Sequence, residues 1–153
     1  MQINKVLVPV KGAPSEFKAL SLAQSVTRGI KSQIYVVYVI EIGHRLPLDP
    51  DISSETARGE KIIQDIERLA ASYEAKIQAE ILQARDAGPA VVQEAVEHQV
   101  DAVILALPYK RRHGVFSLGG KIPYILKNAP CPVLLVREEL DVGVHAEQII
   151  QEE

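Results

Sequence analysis

Four stretches of the chain are almost unbroken apolar sequence: residues 5–10 (KVLVPV), 34–40 (IYVVYVI), 102–107 (AVILAL) and 132–137 (PVLLVR). Runs of this length, rich in Val and Ile, predict parallel strands covered on both faces by helices. A fifth run, residues 76–82 (KIQAEIL), has a different rhythm. There Ile77, Ala79 and Ile81 alternate with Lys76, Gln78 and Glu80. Alternation means that one face is wetter, so this strand is predicted at a sheet edge.

Helical periodicity fills the gaps. Ala19, Leu22, Ala23, Val26 and Ile30 recur on one helix face, with Pro14 suited to its first turn. Within residues 60–73, Ile62, Ile63, Ile66, Leu69, Ala70 and Tyr73 do the same opposite charged residues, and Ser53, Ser54 and Thr56 suit the helix start. Residues 89–98 and 121–128 supply two shorter helices. Strands and helices therefore alternate throughout, which predicts a single-domain α/β protein with a parallel sheet and right-handed crossovers. Two segments stand apart. Residues 42–53 form a Pro- and Asp-rich connection of the kind that carries variable function. Residues 140–153 form an acidic tail after the domain (1–139), predicted as a loosely attached short helix.

Composition narrows the setting. A chain of 153 residues, 47% hydrophobic and 24% charged, fits one ordinary globular domain. No apolar run approaches the roughly 18 residues of a membrane span, and MQINKVLVPV enters a strand without a leader, so a cytoplasmic protein is expected. The single cysteine, Cys131, agrees with a reducing compartment. A net charge of −3 argues against nucleic acid, whose affinity comes largely from phosphate neutralisation.

Candidate chemistry concentrates between Val103 and Val136. Gly119 and Gly120 open a helix beyond a strand, the arrangement in which backbone N–H groups and the helix dipole favour an anion. Lys110, Arg111 and Arg112, with His113 beside them and Lys11 facing across the strand ends, form a candidate anion cluster or else a solvated loop. Cys131 has no base near it in sequence and reads as a small buried hydrophobe. His44, Asp49 and Asp51 match no metal spacing and read as a polar loop. His98 and His145 read as solitary surface residues. No Ser-His-Asp order, paired-carboxylate pattern or Walker loop is present, so no enzyme is indicated.

These residues resemble a known family. KVLVPVKGAPSEFKALSLA is similar to the opening of universal stress proteins, a V-P-V/I-D-G-S segment followed by a helix rich in Ala and Leu. GGKIPYILKNAPCPVLLV resembles the family's close, G-S-V-x-x-x-V/I-L-x-x-A-P-C-P-V-L-V-V, and AGPAVVQEAVEHQVDAVILAL its third helix and fourth strand. The resemblance implies a five-stranded parallel sheet in the order 3-2-1-4-5 between helices, an adenine-nucleotide-hydrolase-like doubly wound fold. It also implies a homodimer whose subunits join through the fifth strand, here Pro132 to Val136.

One branch of that family binds ATP through G-x2-G-x9-G-S/T after the fourth strand and an Asp at the end of the first. Those positions fall on Ala106, Tyr109, Gly119 and Gly120, with Lys11 at the Asp. The spacing is intact while the residue types are mostly changed. Ala106 and Tyr109 do not adopt positive φ cheaply, Pro108 lacks an N–H, and Gly120 lacks a hydroxyl. Lys11 turns an acceptor into a donor. Pro9, Lys11, Val39, Ala106, Tyr109, Lys110, Arg111, Gly119 and Gly120 thus form the candidate nucleotide or anion site. The expected function is a dimeric stress-response protein without strong ATP binding, acting through protein contacts or a small anionic ligand. The alternative is an ATP- or AMP-type sensor, or weak ATPase, with a phosphate site rebuilt from Lys11 and residues 110–112. No metal is expected, and an adenine nucleotide is the one candidate cofactor.

Overall fold

The apolar runs pair side by side. A computed structural model describes residues 1–27, 29, 31–43, 53–107, 111–112, 115–116 and 118–137. Strands β1 (Lys5–Val10), β2 (Gln33–Glu41), β3 (Lys76–Ala84) and β4 (Ala102–Leu107) alternate with helices α1 (Ser15–Val26), α2 (Ser53–Leu69) and α3 (Ala87–Glu97). A two-residue hairpin, β5 (Arg111–Arg112) and β6 (Val115–Phe116), precedes α4 (Lys121–Asn128) and β7 (Val133–Arg137). The main sheet is parallel in the order β3-β2-β1-β4-β7, so β7 is its fifth strand and β3 lies at an edge. Both predictions hold. The hairpin is an addition, because residues 108–118 read only as a polar loop.

Period-two alternation sends the central strands' side chains into two cores. Val6, Val8, Val10, Ile34, Val36 and Ile40 pack under α1 and α2. Leu7, Tyr35, Val37, Val103 and Leu105 pack under α3 and α4. Covering both faces explains why these runs are apolar throughout. Asp101 ties the strand entrances together, its carboxylate accepting the Asn4 and Lys5 N–H groups at 2.9 Å each.

Two local expectations need correction. Leu69 is 45% exposed, because α2 ends there and the chain tightens into a 3₁₀ turn over Ala70–Ser72, turning Ala70 inward instead. Helix α1 stops at Val26, where the Thr27 hydroxyl donates to the Ala23 carbonyl at 2.9 Å, and Ile30 lies outside the described residues. Along β3 the wetter face is present as predicted: Lys76 and Gln78 are exposed, and Glu80 alone of the three is half-buried, beside His98 at the end of α3. Residues 44–52, holding His44, Asp49 and Asp51, and the tail with His145 also lie outside the description.

Candidate functional site

In this strand order the chain changes direction of winding between β1 and β4, the crevice where doubly wound sheets take ligands. The turn leaving β1 lies at its carboxyl-side rim. Gly12 has φ +96°, a left-handed value that glycine adopts readily, and a Cβ there would meet Ile62 Cδ1 at 2.7 Å. The turn gathers the N–H groups of Lys11, Gly12 and Ala13 onto one carboxylate. Glu16 Oε2 accepts from Lys11 at 2.7 Å, and Oε1 accepts from Gly12 at 2.7 Å and Ala13 at 3.0 Å. Pro14, at the N-cap of α1, makes no side-chain cap. The Glu16 carboxylate therefore sits where an external anion would meet the same donors.

Electrostatics around Glu16 pull in both directions. Burial pushes its carboxyl up from the ordinary value, while the N–H groups and the charge of Lys121 pull it down. Lys121, on the first turn of α4, is pushed down by burial and then by Lys11. The Lys11 ammonium lies 3.6 Å from Glu41 at the end of β2, and its carbonyl accepts from Arg58 at 3.4 Å. Lys11 thus reaches an acid on the neighbouring strand.

Several of the expected site residues come together. Pro9, Lys11 and Val39 line one crevice with Val10, Val37 and Lys121, and its cavity volume is ≈ 0 Å³. Ala106 is half-buried in β4, in register with Val136. Gly119 has φ +72° and Gly120 is the N-cap of α4, with nothing within 4 Å of a Cβ built on either. Gly120 and Lys121 face a larger cleft of ≈ 380 Å³, walled by Glu41, Asp86, Gly88 and Tyr124. Lys121 lines both spaces. Tyr109 and Lys110, with Pro108 and His113, lie outside the described residues, and Arg111 is placed only as backbone in β5.

Sequence reasoning passed over Glu16 and Lys121 and took His98 for a solitary surface residue. An acid in the first turn of a helix is a recognisable N-terminal signal, and Glu16 carried it. His98 is not solitary: its Nε2 lies 3.2 Å from Glu80 and 3.0 Å from Glu94, and its ring stacks on Tyr35 at 4.1 Å. The i, i+4 spacing of Glu94 and His98 was visible in sequence, but Glu80 joins them only through tertiary packing. Cys131 is half-buried, and burial followed by Asp101 pushes its thiol up, which keeps it protonated at neutral pH. Among the described residues, no helix is long and apolar enough to cross a membrane.

The sequence pattern of the Universal stress protein family matches residues 2–137. A universal stress protein of Methanocaldococcus jannaschii is 23% identical over 141 residues, covering 88% of this chain and 82% of its own length. Among solved structures, the universal stress protein from Archaeoglobus fulgidus in complex with dAMP superposes with a TM-score of 0.67 at 16% identity, covering 88% of this chain and 98% of that one. A universal stress protein family protein from Arabidopsis thaliana with AMP bound gives a TM-score of 0.65 at 16% identity, over 90% of this chain and 94% of its own. With nearly the whole chain matched and the sheet order observed, this chain belongs to the universal stress protein family.

Proposed function

We propose that this chain is a dimeric stress-response protein that works by binding rather than catalysis and does not hold ATP tightly in the family's usual pose. The observation that carries this reading is the Glu16 carboxylate closed onto the N–H groups of Lys11, Gly12 and Ala13. A phosphate arriving there meets a buried acid instead of free donors. Three further features agree. The crevice beside Pro9 and Val39 has a cavity volume of ≈ 0 Å³, Lys11 is engaged with Glu41, and Ala106 stands where the motif's first glycine would be. These features speak against ATP held in the family's usual pose. The open side of the ≈ 380 Å³ cleft offers room for a smaller anionic ligand beside Lys121.

Dimerisation through β7 is part of the proposal. Among the described residues the strand pairs only with β4, and its Leu135 is 39% exposed. An apolar edge strand left bare invites pairing, and a second copy supplies it without an open edge.

One feature favours a second reading, a nucleotide sensor with a rebuilt site. Gly119 is left-handed and Gly120 is the N-cap of α4, with nothing within 4 Å of a Cβ built on either, so the backbone at that helix start leaves room for a phosphate to approach closely. Relatives of the same fold are solved with AMP and dAMP. Calorimetric titration with ATP, AMP and cyclic AMP separates the two. The expected outcome is no saturable ATP binding in the micromolar range, with phosphate affinity gained on Glu16→Ala. Micromolar ATP binding that disappears on Lys11→Ala would sink the first reading.

A further inference from the structure

We propose that Glu80, Glu94 and His98 form a binding site for a first-row divalent cation such as Zn²⁺, separate from the crevice at the strand ends. Glu80 comes from the edge strand β3, in register with Val37, and Glu94 and His98 come from the last turn of α3 and its C-cap. Oxygens of both carboxylates and a ring nitrogen of His98 lie within 4.8 Å of one another. His98 Nε2 is 3.2 Å from Glu80 Oε1 and 3.0 Å from Glu94 Oε2. Ligand atoms about 2.1 Å from a tetrahedral zinc stand roughly 3.4 Å apart, so both His98–carboxylate pairs already lie within a few tenths of an ångström of that spacing.

An acidic pair alone would carry little. Here the imidazole supplies a nitrogen donor, and it is held in place by its stack on Tyr35, with ring centroids 4.1 Å apart and planes 18° apart. The Tyr35 hydroxyl in turn donates to Gln33. A stacked, oriented ring is what a ligating histidine needs from its surroundings. Glu94 is 8% exposed and shares this space with a second carboxylate, an arrangement that calls for positive charge. One nitrogen and two oxygens without a thiolate select zinc, cobalt or manganese over soft metals. An ion has a way in: Glu94 borders a cleft of ≈ 420 Å³ between β3 and α3, with Leu82, Arg85, Pro89 and Gln93. Three protein ligands leave a fourth position for water, so the site is open rather than sealed.

Titration of the full chain with Co²⁺, followed by visible absorption, tests this. One equivalent per chain is expected, with bands that Zn²⁺ abolishes by displacement. His98→Gln and Glu80→Gln should each weaken binding roughly tenfold or more, while His44→Gln leaves it unchanged. Zn²⁺ should raise the Tm of the wild type and of His44→Gln, and not that of Glu80→Gln. In the wild type the His98 ring nitrogen resonances should respond to Co²⁺ before those of His44, His113 and His145, a readout that needs no variant to fold. Absence of saturable binding, binding retained in both cluster variants, or a first response at another histidine overturns the proposal.

Discussion

Replacing Glu16 with alanine tests the most unusual local arrangement in the fold. Its carboxylate accepts three backbone N–H groups at 2.7, 2.7 and 3.0 Å and is 7% exposed. Hydrogen bonds to a charged group contribute about 1.5–3 kcal/mol each when the donors have no other partner. Lys11 and Gly12 are exposed, so water replaces the carboxylate for those donors, whereas Ala13 is half-buried. Burial of the charge offsets part of the gain, as the upward shift of the carboxyl shows. The expected net loss for Glu16→Ala is therefore about 2 kcal/mol at pH 7, read from urea unfolding. The pH dependence has a definite sign. The folded state binds the Glu16 proton more tightly than the unfolded chain, whose carboxyl titrates near 4.5. That contribution is fully present below 4.5 and is lost as pH rises through the raised folded value. The margin of wild type over Glu16→Ala should thus widen as pH falls from 7 toward 4.5. A loss under about 0.5 kcal/mol would refute the anchoring role. A margin that narrows on acidification would refute the dominance of burial.

Two further variants probe separate links. Gly12→Ala must hold an L side chain at φ +96° while its Cβ presses on Ile62 Cδ1, so a loss of about 2 kcal/mol in urea is expected, and one below about 0.5 kcal/mol would show that the turn relaxes freely. Leu135→Lys places a charge on the exposed edge of β7, and light scattering should report a dimer for the wild type and a monomer for the variant. A monomeric wild type at micromolar concentration would remove the β7 interface from the proposal.

The architecture was legible because it rests on local periodicity. Continuous apolar runs announced strands covered on both sides, and the alternation in β3 placed it at an edge. Lys121–Asn128 emerged with its predicted bounds because two glycines and an Ala-Pro pair punctuate it. Helix ends were read less well, since Leu69 lies where an α-turn gives way to a 3₁₀ turn, a choice made by packing.

By itself, then, the sequence determined the alternation of elements, the edge position of β3 and the family, because periodicity and motif spacing are properties of consecutive residues. It also named the positions at which family chemistry would sit. The tertiary structure alone decided how those positions are used. The turn after β1 folds back on Glu16, Lys11 swings to Glu41 on the next strand, and Lys121 leans in from α4. Likewise Glu80 meets Glu94 and His98 only because β3 passes beneath α3. Charges and hydrogen bonds act over a few ångströms of space, whatever the distance along the chain, so no local pattern could have announced these partners.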